Sequence, residues 1–150
     1  MDRREDEELA AREAETWSLF WEQVARLTPE QRERPGVVPG WSVNGLLGHV
    51  RYWCVRAAEA LEEMRDGTFG GWAEDDAAFD ALNATAAEEA QDQDFAELEA
   101  GLAEARERVR AALAALPEVD DAAATMFFEE TTEHYEEHSA DVRRFADGLS

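Results

Sequence analysis

A run of apolar residues spaced by three or four positions is the feature that most constrains the fold of this chain. Its members are Phe95, Leu98, Leu102, Ala105, Val109, Ala112 and Leu116. Such steps place all of them on one face of an α-helix, as in the seam of a helical bundle, and Pro117 ends the run. Asp94 and Glu97 at its start predict a capping box with Asp94 as the N-cap. The sequence therefore predicts a long helix that must pack against other helices.

Three further long amphipathic helices are predicted from the same kind of spacing. We expect them at about Asp6 to Leu27, from an N-cap at Ser42 to about Asp66, and from about Asp121 to Asp147. A short helical turn should follow Thr28, and a weaker helix is expected over 76–89. The connection 68–93 is long enough to carry the chain from one end of a bundle to the other, so the second and third long helices should be parallel.

The composition supports an all-α fold. Helix-forming residues dominate, β-branched residues are scarce, and the sequence contains no isoleucine. A length of 150 residues suggests one domain with a substantial core. We therefore expect a single domain over residues 1–150 that folds as a four-helix bundle.

The charge balance excludes some classes of partner. Thirty-six acidic residues against fourteen arginines give a formal net charge of −22. This charge repels nucleic-acid phosphates and anionic membrane surfaces, so we expect neither as a partner. The single cysteine, Cys54, cannot form an intrachain disulfide. Residues 1–9 lack the apolar segment of a signal peptide and no stretch is apolar enough to span a membrane, so we expect a cytoplasmic protein.

The three histidines are the candidate metal ligands. His134 and His138 lie four positions apart on the inward face of the last helix, so both rings project to the same side. His49 lies on the inward face of the second long helix. Three imidazoles with a fourth position open are typical of a catalytic metal site in a bundle core. The alternative is that these are partly buried histidines hydrogen-bonded to carboxylates such as Asp141 or Glu130.

Several side chains near the histidines are candidates for supporting roles. Asp141 could orient a ligand imidazole or form a salt bridge with an arginine. Glu130 and Glu137 could act as a base or lie solvated on the helix surface. Trp53 and Tyr135 are candidate pocket-lining residues. No catalytic residue is assigned from the sequence.

Two glycines and the cysteine have structural interpretations. Gly45 and Gly48 each lower helix propensity by about 1 kcal/mol relative to alanine, which predicts a close approach of another helix at these positions. Cys54 lies about 140° around the same helix from His49 at 100° per residue. We expect it to be a small core residue rather than a nucleophile.

The segments PGWSVNGLLGHV (residues 39–50) and EHYEEHSADV (residues 133–142) resemble those of the DinB/YfiT-like superfamily, which includes the metal-binding domain of mycothiol-dependent maleylpyruvate isomerases. Residues 39–50, PGWSVNGLLGHV, are similar to the opening of the family's helix that carries the first ligand. Residues 133–142, EHYEEHSADV, are similar to its final-helix motif with two ligands four positions apart. In the isomerases the first of those two ligands can be glutamate, whereas this chain has His134.

The resemblance implies an up-down-down-up four-helix bundle with zinc or nickel bound by His49, His134 and His138. It also implies an enzyme that uses a low-molecular-weight thiol such as mycothiol or bacillithiol in a transferase or isomerase reaction on a small-molecule substrate. A metal-dependent hydrolase and a non-catalytic binding or self-protection protein are the alternatives. A homodimer is expected from the resemblance alone.

Overall fold

A computed structural model describes residues 3–149, and its regular structure is helical. The elements are α1 (Arg3–Val24), α2 (Pro29–Glu33), α3 (Val43–Asp66), α4 (Asp76–Gln91), α5 (Phe95–Ala114), α6 (Asp121–Phe128), a π-helical turn (Glu129–Glu133) and α7 (His134–Asp147). Within residues 3–149 there is no β-strand, only an isolated bridge between Val38 and Trp41. Met1, Asp2 and Ser150 belong to the predicted domain but lie outside the described residues.

The long helices pack into a bundle. Helix α3 lies at its centre, in contact with α4, α5 and the α6–α7 segment, and α1 packs along α7. The predicted all-α bundle is confirmed. These contacts do not give the direction of each helix, so the up-down-down-up order stays a prediction.

The caps that start the helices follow the sequence with one exception. Thr28 forms a capping box with Gln31, and the Ser42 hydroxyl accepts a hydrogen bond from the Gly45 backbone N–H. Asp94 occupies the predicted N-cap position of α5, but its side chain makes no capping hydrogen bond. The predicted capping box at Asp94 is therefore wrong, although the helix begins where it was expected.

The ends of two helices differ from the predicted boundaries. Helix α1 ends at Val24, whereas the spacing of its apolar residues suggested Leu27. Leu27 is still buried, because the turn after α1 returns it to the core. Helix α4 extends to Gln91, two residues beyond its predicted end, and begins with Asp75 as its N-cap.

The close helix approach predicted from two glycines is present between α3 and α4. A Cβ atom at Gly48 would lie 2.3 Å from Ala90 Cβ and 2.8 Å from the Ala86 carbonyl oxygen. At Gly45 it would lie 3.2 Å from the Ala87 carbonyl oxygen. The two helices can pack this closely only because both α3 positions lack a side chain.

The last long helix contains a π-helical turn that the sequence pattern did not predict. Phe127, Thr131 and Tyr135 are all fully buried, although each is four positions from the next. In a regular α-helix, two such steps would rotate the third residue by about 80° from the first. A π-helical turn holds more residues, so it keeps the three side chains on one face. It also immediately precedes His134.

Two clusters of apolar side chains form the core. The larger joins α1, α3, α5 and α7 around Phe20, Leu46, Leu102 and Tyr135. The smaller joins α3, α5 and α6 around Leu61, Val109 and Phe127. None of the helices within residues 3–149 has the length and apolar character that crossing a bilayer requires.

Candidate metal centre

The bundle brings the three histidine rings together. The centroid of the His49 ring lies 5.3 Å from that of His134 and 5.1 Å from that of His138, and the latter two lie 5.6 Å apart. One nitrogen of each ring lies within 4.8 Å of the corresponding nitrogens of the other two. Helix α3 supplies His49 and one face of α7 supplies the other two, as the four-residue spacing predicts. All three side chains are largely buried.

His49 is anchored by a residue from α4. Its Nδ1 lies 3.1 Å from Asn83 Oδ1, and the same oxygen accepts a hydrogen bond of 2.5 Å from Trp53 Nε1. The ring of Trp41 lies on another side of His49, with the centroids 5.0 Å apart. His49 is therefore packed against the Trp41 indole and held by the amide oxygen of Asn83.

His138 is held by a carboxylate from its own helix. Its Nδ1 lies 2.9 Å from Asp141 Oδ2. The other oxygen of Asp141 accepts a hydrogen bond of 2.8 Å from Arg144 Nη2. Both contacts considered for Asp141 are therefore present, one to an imidazole and one to an arginine. A carboxylate in this position fixes the orientation of the ring and makes the other nitrogen more basic.

His134 differs from the other two histidines because no side chain among the described residues hydrogen-bonds to its ring. Its Nδ1 is buried and makes no hydrogen bond. Glu130 Oε2 lies 3.9 Å away, too far for a hydrogen bond. The backbone of Glu130, four positions earlier, also faces this ring and opposes the lowering of its pKa.

Burial keeps two of the imidazoles uncharged near neutral pH. Desolvation is the main cause that lowers the pKa of His49 to about 3, and the neighbouring His138 and His134 lower it further. Desolvation likewise lowers the pKa of His134 to about 4, with a further contribution from His138. Neutral imidazole is the form that binds metal ions, so these rings need not lose a proton to bind one.

The carboxyl group of Glu130 has the opposite shift. Burial, followed by the charges of Glu129 and Glu133, raises its pKa to about 7. A carboxyl group with such a pKa can hold or release a proton near neutral pH. Glu137, the other candidate acid, is exposed.

The remaining candidates lie in different surroundings. Trp53 touches the site, since its ring centroid lies 6.3 Å from that of His134. Tyr135 is fully buried and packs against Trp17, with its hydroxyl 3.7 Å from Cys54 Sγ. Its role as a pocket-lining residue stays a prediction. Cys54 is buried in the core, and burial raises its pKa to about 12, consistent with a core residue.

Asn83 and Trp41 are site residues that sequence reasoning did not assign. Trp41 is part of the Pro39–Val50 segment that resembles the family, but nothing in its spacing pointed to His49. Asn83 lies 34 positions from His49 on a helix whose docking could not be foreseen from its weak amphipathic pattern. The sequence feature that indicated this contact was the pair Gly45 and Gly48 in α3, which predicted that another helix packs closely against that face.

The donor set fits a divalent transition metal. Imidazole nitrogens suit zinc and nickel, and three protein ligands leave a coordination position open for a small molecule. The polar atoms behind His49 and His138 are oxygens, which is the arrangement that orients ligand histidines.

Comparison with known proteins gives one match. A family model described as the DinB superfamily matches residues 13–143, a range that includes all three histidines, Asn83 and Asp141. No curated protein and no solved structure matches the chain.

Proposed function

The chain belongs to the DinB superfamily, and on that premise we propose that it is a metal-dependent enzyme that uses a low-molecular-weight thiol as cosubstrate. The observation that carries the proposal is the convergence of three buried imidazoles, with one nitrogen from each within 4.8 Å of the others. The proposed ion is zinc or nickel, bound by His49, His134 and His138. The proposed reaction is a transfer of the thiol to a small electrophile, or an isomerisation that the thiol assists.

The ion would supply one chemical effect, the stabilisation of the thiol in its thiolate form at neutral pH. In a transfer to an electrophilic double bond, the sulfur would bond to one carbon as the π bond breaks, and the proton released by the thiol would go to the other end of that bond. In an isomerisation, the sulfur–carbon bond breaks again after the substrate has rearranged, so the thiol is recovered unchanged.

The protein's own residues would orient and shield this reaction. Asn83 and Asp141 hold two of the imidazoles in fixed orientations. Trp41 packs against the ring of His49 and Trp53 against that of His134, and both would limit the access of water. Glu130, with Oε2 3.9 Å from His134 Nδ1, would accept and return the proton.

The proposal is tested with protein loaded with cobalt, which replaces zinc in such sites and reports its ligands by absorption. Mycothiol or bacillithiol should produce a sulfur-to-cobalt charge-transfer band, and the S-methylated thiol should not. The His134→Ala/His138→Ala variant should give no band with either compound.

Two results would contradict the proposal. The first is a thiol affinity that is the same with and without the ion, which would favour a binding protein. The second is turnover of an ester or amide substrate in the complete absence of thiol, which would favour a hydrolase using the same three histidines.

A further inference from the structure

The hydrogen bonds around Asn83 determine which nitrogen of His49 carries the proton. The Trp53 indole has an N–H and no acceptor, so it can only donate. The amide atom of Asn83 that it contacts at 2.5 Å must therefore be the carbonyl oxygen. The reverse orientation would place the NH2 group of Asn83 against the indole N–H, two donors facing each other.

The same oxygen then fixes the tautomer of His49. Oδ1 of Asn83 also lies 3.1 Å from His49 Nδ1. Because an amide oxygen can only accept, Nδ1 must be the nitrogen that carries the proton. In a neutral ring this leaves Nε2 with the free lone pair.

The position of the indole is itself fixed. The Trp53 ring is enclosed by other aromatic rings, with centroid distances of 5.4 Å to Tyr52, 6.1 Å to Trp72 and 5.2 Å to Phe79. Trp53 is also largely buried. Its N–H direction is therefore determined by packing rather than by the histidine, which makes Asn83 the relay between a rigid indole and the imidazole.

We propose that Asn83 is a positioning residue for the metal centre, which holds the His49 proton on Nδ1 and so presents Nε2 as the ligand nitrogen. The functional purpose of this positioning rests on the proposed metal site. The inference does not depend on a bound ion for its test, since the tautomer exists in the metal-free protein. It also assigns a role to α4, the helix of the long connection, as the element that delivers this oxygen.

The test measures the tautomer of His49 directly. The His134→Ala/His138→Ala variant retains one histidine of the three in the chain. Long-range ¹H–¹⁵N correlation spectra of the labelled, metal-free variant at pH 7.5 then report the two nitrogens of His49 alone. We expect a protonated Nδ1 and an unprotonated Nε2.

Two substitutions in the same background separate positioning from packing. Asn83→Leu keeps the size of the side chain but removes the acceptor, and should shift His49 towards the Nε2–H form that free histidine prefers in water. Asn83→Asp keeps the acceptor and should keep Nδ1 protonated. A dominant Nε2–H form with Asn83 in place, or an unchanged Nδ1–H form after Asn83→Leu, would overturn the inference.

A second readout uses the chain with all three histidines and zinc alone as the probe. Competition with a chromophoric chelator should show that Asn83→Leu weakens zinc binding by about 10- to 100-fold, the usual effect of losing such a partner, whereas Asn83→Asp restores most of it. Equal affinity in Asn83→Leu and the unaltered chain would overturn the inference. If the unaltered chain binds no zinc, the proposed function fails, and the tautomer measurement still decides the role of Asn83.

Discussion

At the scale of single residues, Glu13 shows how a charge can lie within an apolar helix face. Four-residue spacing from Leu9 to Trp17 puts Glu13 on the inward face of α1, and its side chain is fully buried. Both of its carboxylate oxygens accept hydrogen bonds of 2.9 Å from Arg106, and Arg110 adds a third bond. These contacts tie α1 to α5, and a buried carboxylate needs such partners.

Removal of Glu13 should be strongly destabilising. Glu13→Ala leaves two partly buried guanidinium groups without their partner, which should lower the free energy of unfolding by about 3–5 kcal/mol. Glu136→Ala is the matched control, because the Arg12–Glu136 pair is exposed and its loss should cost less than about 1 kcal/mol. Urea denaturation of both variants makes the comparison, and equal losses would contradict this account.

Cys54 should be unreactive in the folded protein. Its thiol is fully buried and its pKa is about 12, so almost none of it is thiolate at pH 8. A chromogenic disulfide reagent should therefore label the folded chain slowly and the unfolded chain rapidly, with one thiol per chain in denaturant. Rapid labelling without denaturant would place Cys54 at an accessible position and contradict the structure.

Single residues also show which parts of the site could be predicted from the sequence and which could not. The grouping of His49, His134 and His138 could be predicted, because helical periodicity places each on an inward face. The oxygen behind His49 could not, because its position depends on how α4 docks. For Asp141 the sequence allowed an imidazole or an arginine as partner, and the structure shows that its two oxygens serve both.

At the scale of elements, the α3–α4 contact connects a sequence pattern to the site. The small side chains of α4 fit against Gly45 and Gly48, and this close packing places Asn83 on the same helix within reach of His49. The glycines cost helix propensity in α3, but the packing of α4 requires them.

Gly48→Ala should therefore disturb both stability and the site. The added methyl group favours the helix by about 1 kcal/mol, but it would lie 2.3 Å from Ala90 Cβ. Overpacking of this kind should leave a net loss of about 1–3 kcal/mol and displace α4, which weakens zinc binding. Gly70→Ala is the control, since no atom lies within 4 Å of its added Cβ. Thermal denaturation and zinc competition measure both effects, and a stabilised Gly48→Ala variant with unchanged zinc affinity would be inconsistent with this contact.

The π-helical turn before His134 is an element that the sequence pattern did not predict. Phe127, Thr131, His134 and His138 fall on one face at 100° per residue, so the pattern predicted one regular α-helix with Tyr135 off that face. Whether a helical turn is α or π depends on how its buried side chains pack against the neighbouring helices. Such turns often occur at functional sites, and this one determines the register with which α7 presents its two histidines.

At the scale of the whole molecule, the fold could be predicted because four long apolar stripes admit few other arrangements. The acidic surface and the absence of β-forming segments agree with that fold without selecting a reaction. The three histidines and Asp141 could be predicted as site residues, whereas the Asn83 oxygen and the Trp41 indole reach His49 through packing that the sequence pattern does not determine. The proposed function therefore depends on one claim, that the three imidazoles bind a metal ion.

Metal content per chain, measured by elemental mass spectrometry on protein purified without a histidine tag, tests that claim most directly. The unaltered chain should contain about one zinc or nickel ion, as expected for one three-histidine site. The His134→Ala/His138→Ala variant should contain none, with a helical circular dichroism spectrum like that of the unaltered chain. Absence of both metals from the unaltered chain, even after incubation with zinc and nickel salts, would contradict the claim and make the histidines structural.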